Sequence, residues 1–170
     1  MSVLWIVLIL VALQRGIELF HAHANTARLL QRGGVEAGAS HYSLIVALHA
    51  AWLASMAAFI PPSTPPNWWL LALFAGVEAA RAWVVTSLGE YWTTRIITVP
   101  GAPLVVRGPY RFVRHPNYAV VCAEIALLPL AFNAVAIAIV FSLLNAALLA
   151  WRIRVEDHAL APRRDTNASG

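Results

Sequence analysis

The sequence predicts an all-α integral membrane protein, a bundle of about five transmembrane helices with its N-terminus outside and its C-terminus in the cytoplasm. Hydrophobic residues make up 60% of the 170 residues and charged residues only 12%, whereas charged residues form roughly a quarter of a soluble domain. The apolar residues form five long runs separated by short polar, glycine-rich or proline-rich segments. All 12 basic residues are arginines, and they concentrate in alternate connections.

Each apolar run is close to the roughly 20 residues that a membrane-spanning helix needs. The runs cover residues 3–24, 42–60, 67–87, 117–132 and 134–151. Glycine and proline interrupt the helical pattern between runs, and a tight turn at Phe132-Asn133 makes the last two helices a hairpin. We therefore expect one membrane-embedded domain at residues 1–162, followed by a polar C-terminal tail at 163–170.

The arginines predict the orientation of the bundle. Those in connections lie between helices one and two, between helices three and four, and after helix five, namely Arg28, Arg32, Arg95, Arg107, Arg111, Arg114, Arg152, Arg154, Arg163 and Arg164. The other two connections carry no basic residue. Since positive charge is retained on the cytoplasmic side, these arginines place the C-terminus there after five crossings.

The net charge of +4 does not indicate a nucleic-acid partner, because the arginines lie just outside apolar segments, where they orient a protein among membrane lipids. Aromatic residues at the ends of the runs are interpreted as anchors. Trp5, Trp68 and Trp69 are expected at the outer interface, and Tyr91, Trp92 and Trp151 at the inner one.

Ionisable residues within the predicted spans are candidates for function, because each costs free energy in lipid unless it is paired or faces a polar cavity. Gln14, Glu18, His21 and Asn25 recur at helical spacing and predict one polar stripe on the first helix. The last helix carries Asn145, Arg152 and Glu156 on one face. We expect the polar stripes to converge.

A structural interpretation of these charges stays open. Arg15 with Glu18, and Glu78 with Arg81, could be local ion pairs that hold the bundle together. Glu124 has no opposite charge near it in sequence, so it must find a partner on another helix, be protonated or face water. Glu124 and Asn145 could instead orient a hydroxyl group or accept its proton. His41 and His49 are interpreted as structural.

The segment before the fourth helix carries the densest cluster of polar and special-backbone residues. Pro116 suits the first position of a helix and places His115 at its cap. Free backbone amides there favour an anion, and Arg111 and Arg114 add charged donors. A turn at Gly108-Pro109 brings Tyr110 to the same place. The arginines could alternatively bind lipid headgroups.

Two separated motifs carry a family resemblance. The run Arg-Gly-Pro-Tyr-Arg-Phe-Val-Arg-His-Pro-Asn-Tyr at 107–118 resembles the RGPYxxxRHPxY signature of the isoprenylcysteine carboxyl methyltransferase family. Arg152-Ile153 with Glu156-Asp157 and Leu160 resembles the family's RIxxEExxL element. Segments at 14–19, 36–42 and 88–92 are similar to the short bacterial branch, so the resemblance covers nearly the whole chain.

The resemblance implies a methyltransferase of the bacterial plasma membrane that binds S-adenosylmethionine at the cytoplasmic face, with no metal. The cofactor-binding residues would be Tyr110, Arg114, His115, Pro116, Tyr118, Arg152, Glu156 and Asp157, and the catalytic candidates are Arg114, Glu124 and Asn145. The acceptor would be an oxygen of a lipophilic molecule that enters from the bilayer. It would be the carboxylate of an isoprenylcysteine or, as the short bacterial branch suggests, the hydroxyl of an alkyl pyrone or phenolic lipid.

The chain departs from longer family members, which carry an aromatic segment after the acidic element. Segment 88–105 is the expected replacement as a cover for the cofactor. Other functions stay open at this point. They are N-methylation of a phospholipid amine, an NADPH-dependent membrane reductase with arginines on the phosphate, and a small transporter or scaffold.

Overall fold

The computed structural model describes residues 2–38, 42–102 and 105–168. The described chain forms the predicted helical bundle, with α1 at Val3–Gln31, α2 at Tyr42–Phe59, α3 at Trp68–Leu88, α4 at Pro116–Ala131 and α5 at Val135–Ala168. Two short strands were not predicted. They are β1 at Val35–Ala37 and β2 at Ile96–Thr98, which pair antiparallel with Val35 opposite Thr98. Helix α5 continues into the polar tail.

Local signals set the helix limits close to the predicted ones. The Ser2 hydroxyl accepts from the backbone amide of Trp5 at the start of α1, and the Asn67 side chain accepts from two amides at the start of α3. Pro116 occupies the first turn of α4. Asn133 adopts φ 57°, a left-handed conformation that asparagine tolerates, and this residue makes the turn between α4 and α5.

Four helices, α1, α2, α3 and α5, are long and apolar enough to cross a membrane. Helix α4 has 16 residues and is about 24 Å long at 1.5 Å per residue. It nevertheless runs from one end of the bundle to the other. The backbone amide of Asn67, before α3, donates to the carbonyl of Ala131 at the end of α4, and the start of α4 contacts the opposite end, where the arginine-bearing segments meet.

The outer surface of the bundle is strongly apolar. Leu10, Ile17 and Phe20 on α1 are 60%, 70% and 80% exposed, a surface that suits contact with lipid chains. Trp68 and Trp69 are also exposed, as expected for interfacial anchors. The prediction for Trp92 was wrong. This residue is only 3% exposed, because the linker after α3 folds inward.

The interior contains two apolar clusters with charged residues between them. The first includes Leu8 and Phe74, and the second includes Ala22 and Val84. Along α1 and α3, the charged side chains fall between these apolar levels. His21 does not belong to this interior, since its side chain is exposed, so the predicted stripe on α1 is interrupted there.

The linker between α3 and α4 is held against the arginine-bearing ends of the other helices. Asn25 is buried and donates to the carbonyl oxygens of Gly89 and Trp92, at 3.1 and 2.9 Å. Arg95 forms an ion pair with Glu36 at 2.9 Å, which joins the two strands of the ribbon. These contacts turn a long connection into a wall of the site described next.

Candidate active site

The two sequence motifs meet where α4 begins beside α5. The ring of His115, the N-cap of α4, stacks on Tyr118 with 5.2 Å between centroids. The Tyr118 hydroxyl donates to the Glu156 carboxylate and accepts from Arg152 Nε at 2.9 Å. Since Tyr118 belongs to the first motif, and Arg152 and Glu156 to the second, the structure joins them through one hydroxyl group.

Histidine and acidic side chains extend this contact. The ring nitrogens of His115 lie 3.8 Å from Glu156 Oε2 and 3.5 Å from Asp157 Oδ1. Arg152 also donates through Nη2 to the carbonyl of Thr94 at 2.8 Å, which ties the linker to α5. The result is a polar cluster shared by α4, α5 and the linker.

A cavity of about 400 Å³, here called the inner cavity, opens beside this cluster. It is lined by six of the eight predicted cofactor residues, namely Tyr110, Arg114, His115, Tyr118, Arg152 and Glu156. Pro116 is buried behind the wall, and Asp157 approaches the cavity through His115. The remaining wall comes from Leu88, Tyr91, Trp92, Thr93, Arg95, Ile96, Ile97, Val105, Val106 and Asn117.

Most of these additional residues belong to the linker at 88–106, which thus forms a wall of the inner cavity. Segment 88–105 was predicted from the sequence as a cover for the cofactor, and its Leu88–Trp92 motif belongs to the family resemblance. Arg95 was interpreted only as an orienting charge, and Thr93 carried no signal. Arg95 lies over the Tyr42 ring, with 4.6 Å between the guanidinium carbon and the ring centroid, so its position depends on α2.

A 3₁₀ turn at Gly108–Arg111 positions Tyr110. Gly108 adopts φ +59°, and a Cβ atom at this residue would lie 2.1 Å from Ser87 Oγ on α3, so glycine is required for the close approach. Arg107 Nε donates to the carbonyl of Ser87 at 2.7 Å and fastens the turn. Burial and the nearby Glu156 carboxylate raise the pKa of the Tyr110 hydroxyl, which therefore stays protonated and can donate a hydrogen bond.

A second cavity of about 340 Å³, here called the membrane cavity, lies deeper in the bundle. It shares Trp92, Thr93, Asn117, Tyr118 and Arg152 with the inner cavity. Its further lining comes from α1, α2, α3, α4 and α5 and includes Ala12, Arg15, Gly16, Glu18, Leu19, Tyr42, Val46, His49, Ala50, Leu53, Arg81, Asn145 and Leu149. The two cavities therefore meet at the start of α4.

The membrane cavity faces the outer surface between α1 and α2. Ala12, Gly16 and Leu19 on α1, and Val46 and Ala50 on α2, line the cavity and are also exposed. Most of these side chains are small. The gap between the two helices is consequently an opening on the apolar outer surface of the bundle.

The charged stripes converge as expected, and of the two local ion pairs considered above only one is present. Arg15 does pair with Glu18 at 3.2 Å. The predicted pairing of Glu78 with Arg81 is replaced by contacts between helices. Arg81 binds Glu18 at 2.5 Å and Glu124 at 3.2 Å, while Glu78 accepts from Gln14 at 2.5 Å. Glu124 finds its second partner in Arg15 at 2.6 Å.

The three catalytic candidates occupy different places. Arg114 lines the inner cavity and Asn145 the membrane cavity, where Asn145 is buried and donates to Cys122 Sγ at 3.6 Å. Glu124 is 1% exposed, pairs with two guanidinium groups and lines neither cavity. Of the two histidines interpreted as structural, His49 lines the membrane cavity, and His41 lies outside the described residues.

Comparison with known proteins decides the family. The profile of the Isoprenylcysteine carboxyl methyltransferase (ICMT) family matches residues 69–162, more than half of the chain and a segment that contains both motifs. The chain belongs to this family. It is also 41% identical over 160 residues to the uncharacterized protein YpbQ of Bacillus subtilis (strain 168), which covers 92% of this chain and 95% of YpbQ. No solved structure matches the chain.

Membership in the ICMT family supports a membrane methyltransferase. The matched segment also contains most of the residues that line the inner cavity. The family match begins within α3 and ends within α5. It therefore includes the linker, the turn at Gly108 and the polar cluster around Tyr118, which together form most of the inner cavity. The opening between α1 and α2 lies outside the matched segment.

Proposed function

We propose that this protein is an S-adenosylmethionine-dependent methyltransferase that transfers a methyl group to an oxygen of a lipophilic acceptor. The observation that carries the proposal is the meeting of two cavities at Asn117 and Tyr118. One is walled by charged motif residues at the arginine-rich end of the bundle, and the other is open toward lipid. This arrangement suits a water-soluble donor and a membrane-dissolved acceptor. We place the site at the cytoplasmic face of a bacterial plasma membrane.

The residues of the inner cavity fit this cofactor. Its volume lies within the roughly 300–1,000 Å³ typical of small-molecule sites. Arg114 would bind the carboxylate of the cofactor, and Glu156 with Asp157 its ammonium group. Tyr110, Ile96 and Val105 supply aromatic and apolar walls for adenine. When bound, the cofactor supplies an electrophilic methyl group on a sulfonium.

The protein's own contribution is to position the reactants and exclude water. Tyr118 is held by Arg152 and Glu156, so the wall between the two cavities is fixed on α4 and α5. Rigid placement of two reactants in line can supply a large part of a rate enhancement for methyl transfer. The buried linker around Trp92 covers the same junction and limits access of water.

The acceptor class follows from the membrane cavity. An acceptor with a long alkyl chain would lose about 0.8 kcal/mol for each methylene removed from lipid, and the opening between α1 and α2 avoids this cost. We propose the hydroxyl of an alkyl pyrone or phenolic lipid as the leading acceptor, with the carboxylate of an isoprenylcysteine as the other oxygen acceptor. Both would enter from the bilayer with the alkyl chain along the apolar lining.

Calorimetry with S-adenosylhomocysteine tests the proposal on the purified protein. We expect the parent to bind, and His115→Ala and Glu156→Ala each to weaken binding by about tenfold or more, since each removes a polar contact worth at least about 1.4 kcal/mol. Glu90→Ala is the matched control, because Glu90 forms an exposed ion pair with Arg32 and lines neither cavity.

Two results would contradict the assignment. If the folded His115 and Glu156 variants bound as tightly as the parent, the cofactor site would lie elsewhere. If the parent bound NADPH in place of S-adenosylhomocysteine, the protein would be a reductase. Radiolabelled methyl transfer to long-chain phenols, prenylated cysteines and phospholipid amines then separates oxygen from nitrogen acceptors.

A further inference from the structure

His49 is a histidine of α2 whose ring faces the membrane cavity. Its Nδ1 atom lies 2.8 Å from the carbonyl oxygen of Ile45, one turn earlier in the same helix. A carbonyl oxygen only accepts hydrogen bonds, so Nδ1 carries the proton. In the neutral ring, Nε2 then holds a lone pair and is an acceptor. The helix backbone thus fixes the tautomer that leaves a basic nitrogen for a ligand.

The other proton acceptor of this cavity, the Glu18 carboxylate, is already engaged. The Glu18 carboxylate accepts from Arg81 at 2.6 and 2.5 Å and from Arg15 at 3.2 Å. Two guanidinium groups hold it as an ion pair and leave it little capacity to take a proton. His49 therefore has a basic nitrogen, Nε2, that is available to accept a proton from a ligand. This holds among the described side chains that line the membrane cavity.

We propose that His49 is the general base of the reaction and accepts the proton of a hydroxyl acceptor. This inference rests on the proposed function and narrows its acceptor class to hydroxyl groups. A carboxylate is already ionised and needs no base, whereas a phenol or enol must lose its proton when it is methylated.

During methyl transfer, the acceptor oxygen would form a bond to the methyl carbon while the bond between that carbon and the sulfonium sulfur of the donor breaks. The electron pair of the broken bond stays on sulfur, and the hydroxyl proton moves to Nε2 of His49, which becomes a cation. Arg15 and Arg81 line the same cavity and repel this positive charge. The Glu18 carboxylate, which also lines the cavity, offsets part of the repulsion.

The cavity connects His49 with the site of transfer. Asn117 and Tyr118, which line both cavities, share the membrane cavity with His49. For proton transfer, a hydroxyl group bound in this space would have to lie within hydrogen-bond distance of Nε2, directly or through one water molecule.

Substitution of His49, combined with acceptors of different acidity, tests the base. One acceptor is a long-chain alkylphenol that is neutral at the assay pH, and the other is a nitrophenol with the same chain that is ionised. We expect His49→Gln and His49→Asn to lower kcat for the neutral phenol by about 10²-fold or more and to leave kcat for the ionised phenol nearly unchanged. The amide NH₂ of asparagine can still donate to the carbonyl oxygen of Ile45. His49→Asn therefore removes the basic nitrogen but keeps the hydrogen bond to the helix backbone. His23→Asn, at an exposed histidine of α1 outside both cavities, is the matched control.

A second measurement needs no cofactor. The absorbance of a bound alkyl nitrophenol reports its ionisation, and we expect a larger ionised fraction in the parent than in His49→Gln at the same pH. Equal spectra, or an equal loss of kcat on both phenols, would overturn the role of His49. If the parent methylated no lipid acceptor but the spectra differed as expected, the proposed function would fail while the basic site at His49 stood.

Discussion

At the scale of single residues, Glu124 shows how a buried carboxylate is accommodated in a membrane bundle. It is almost fully buried and contacts Arg15 of α1 and Arg81 of α3, so one side chain of α4 connects three helices. A charge in lipid is costly unless it is paired. The absence of Glu124 from both cavity walls favours a structural role over contact with the acceptor.

The structural role gives a prediction for Glu124→Gln. The substitution removes the negative charge and leaves two guanidinium groups with one carboxylate fewer. We expect the free energy of unfolding to fall by up to about 3–5 kcal/mol, the usual cost of breaking a buried ion pair. The loss is measured as a lower midpoint of thermal unfolding in detergent, with size-exclusion chromatography as the readout of the folded fraction.

Glu90→Gln is the control for this prediction. It makes the same chemical change in an ion pair whose side chains are 47% and 52% exposed, where the expected effect is about 0–1 kcal/mol. A Glu124→Gln protein as stable as the parent, but with reduced turnover and intact cofactor binding, would contradict the structural role and make Glu124 a group that acts on the acceptor.

At the scale of elements, α1 and α2 border the opening of the membrane cavity. Gly16 and Ala50 lie at the opening between these helices, on opposite sides. A Cβ atom added to Gly16 would meet no other atom within 4 Å. A larger side chain there would consequently occupy the opening without straining the helix.

We therefore predict that Gly16→Leu hinders long-chain acceptors. The leucine should lower kcat/KM by about tenfold for an acceptor with a long alkyl chain, because about 1.4 kcal/mol of steric cost suffices for that change. It should have a smaller effect on a short-chain analogue. Methyl transfer to the two acceptors, measured in detergent and in lipid vesicles, tests this difference.

Gly76→Leu provides the comparison for the opening. Gly76 is an exposed glycine of α3 with the same free space around it, and it lines neither cavity. Helix propensity favours leucine at both sites, so neither variant is expected to unfold. Equal kinetics of Gly16→Leu and the parent on long-chain acceptors would mean that the acceptor reaches the site by another route.

At the scale of the whole molecule, the arginine-bearing segments gather at one end of the bundle. Arg32 after α1 pairs with Glu90 in the linker at 2.8 Å, and Arg152 on α5 binds the carbonyl of Thr94 at 2.8 Å. The opposite end holds Asn67 and Ala131 in contact. The charge asymmetry of the sequence is thus an asymmetry of the folded molecule.

This asymmetry predicts the topology, with the N-terminus outside and the C-terminus in the cytoplasm. A reporter that is active only in the cytoplasm should function at the C-terminus, and a reporter that requires export should function in the connection at residues 61–66. The reverse pattern, or an even number of mapped crossings, would refute the five-crossing orientation. Activity with donor supplied only on the cytoplasmic side of sealed vesicles would locate the site.

Local patterns in the sequence were enough to predict the helices of the bundle and the segments that line the inner cavity. Hydropathy, capping residues such as Asn67, and Pro116 at a helix start act locally, so they can be read without knowledge of packing. The two motifs also predicted that Tyr110, His115 and Glu156 lie close together, and all three line the inner cavity.

Contacts across the bundle could not be predicted in the same way, because they join residues that are far apart in the chain. Arg15 and Glu124 are 109 residues apart, and Asn25 and Trp92 are 67 apart, so their contacts depend on how helices and linker pack. Packing also buried Trp92, opened the gap between α1 and α2, and turned His49 toward a cavity. Burial and pairing are properties of the assembled bundle, because a polar group becomes costly to leave unpaired only once packing has removed it from water.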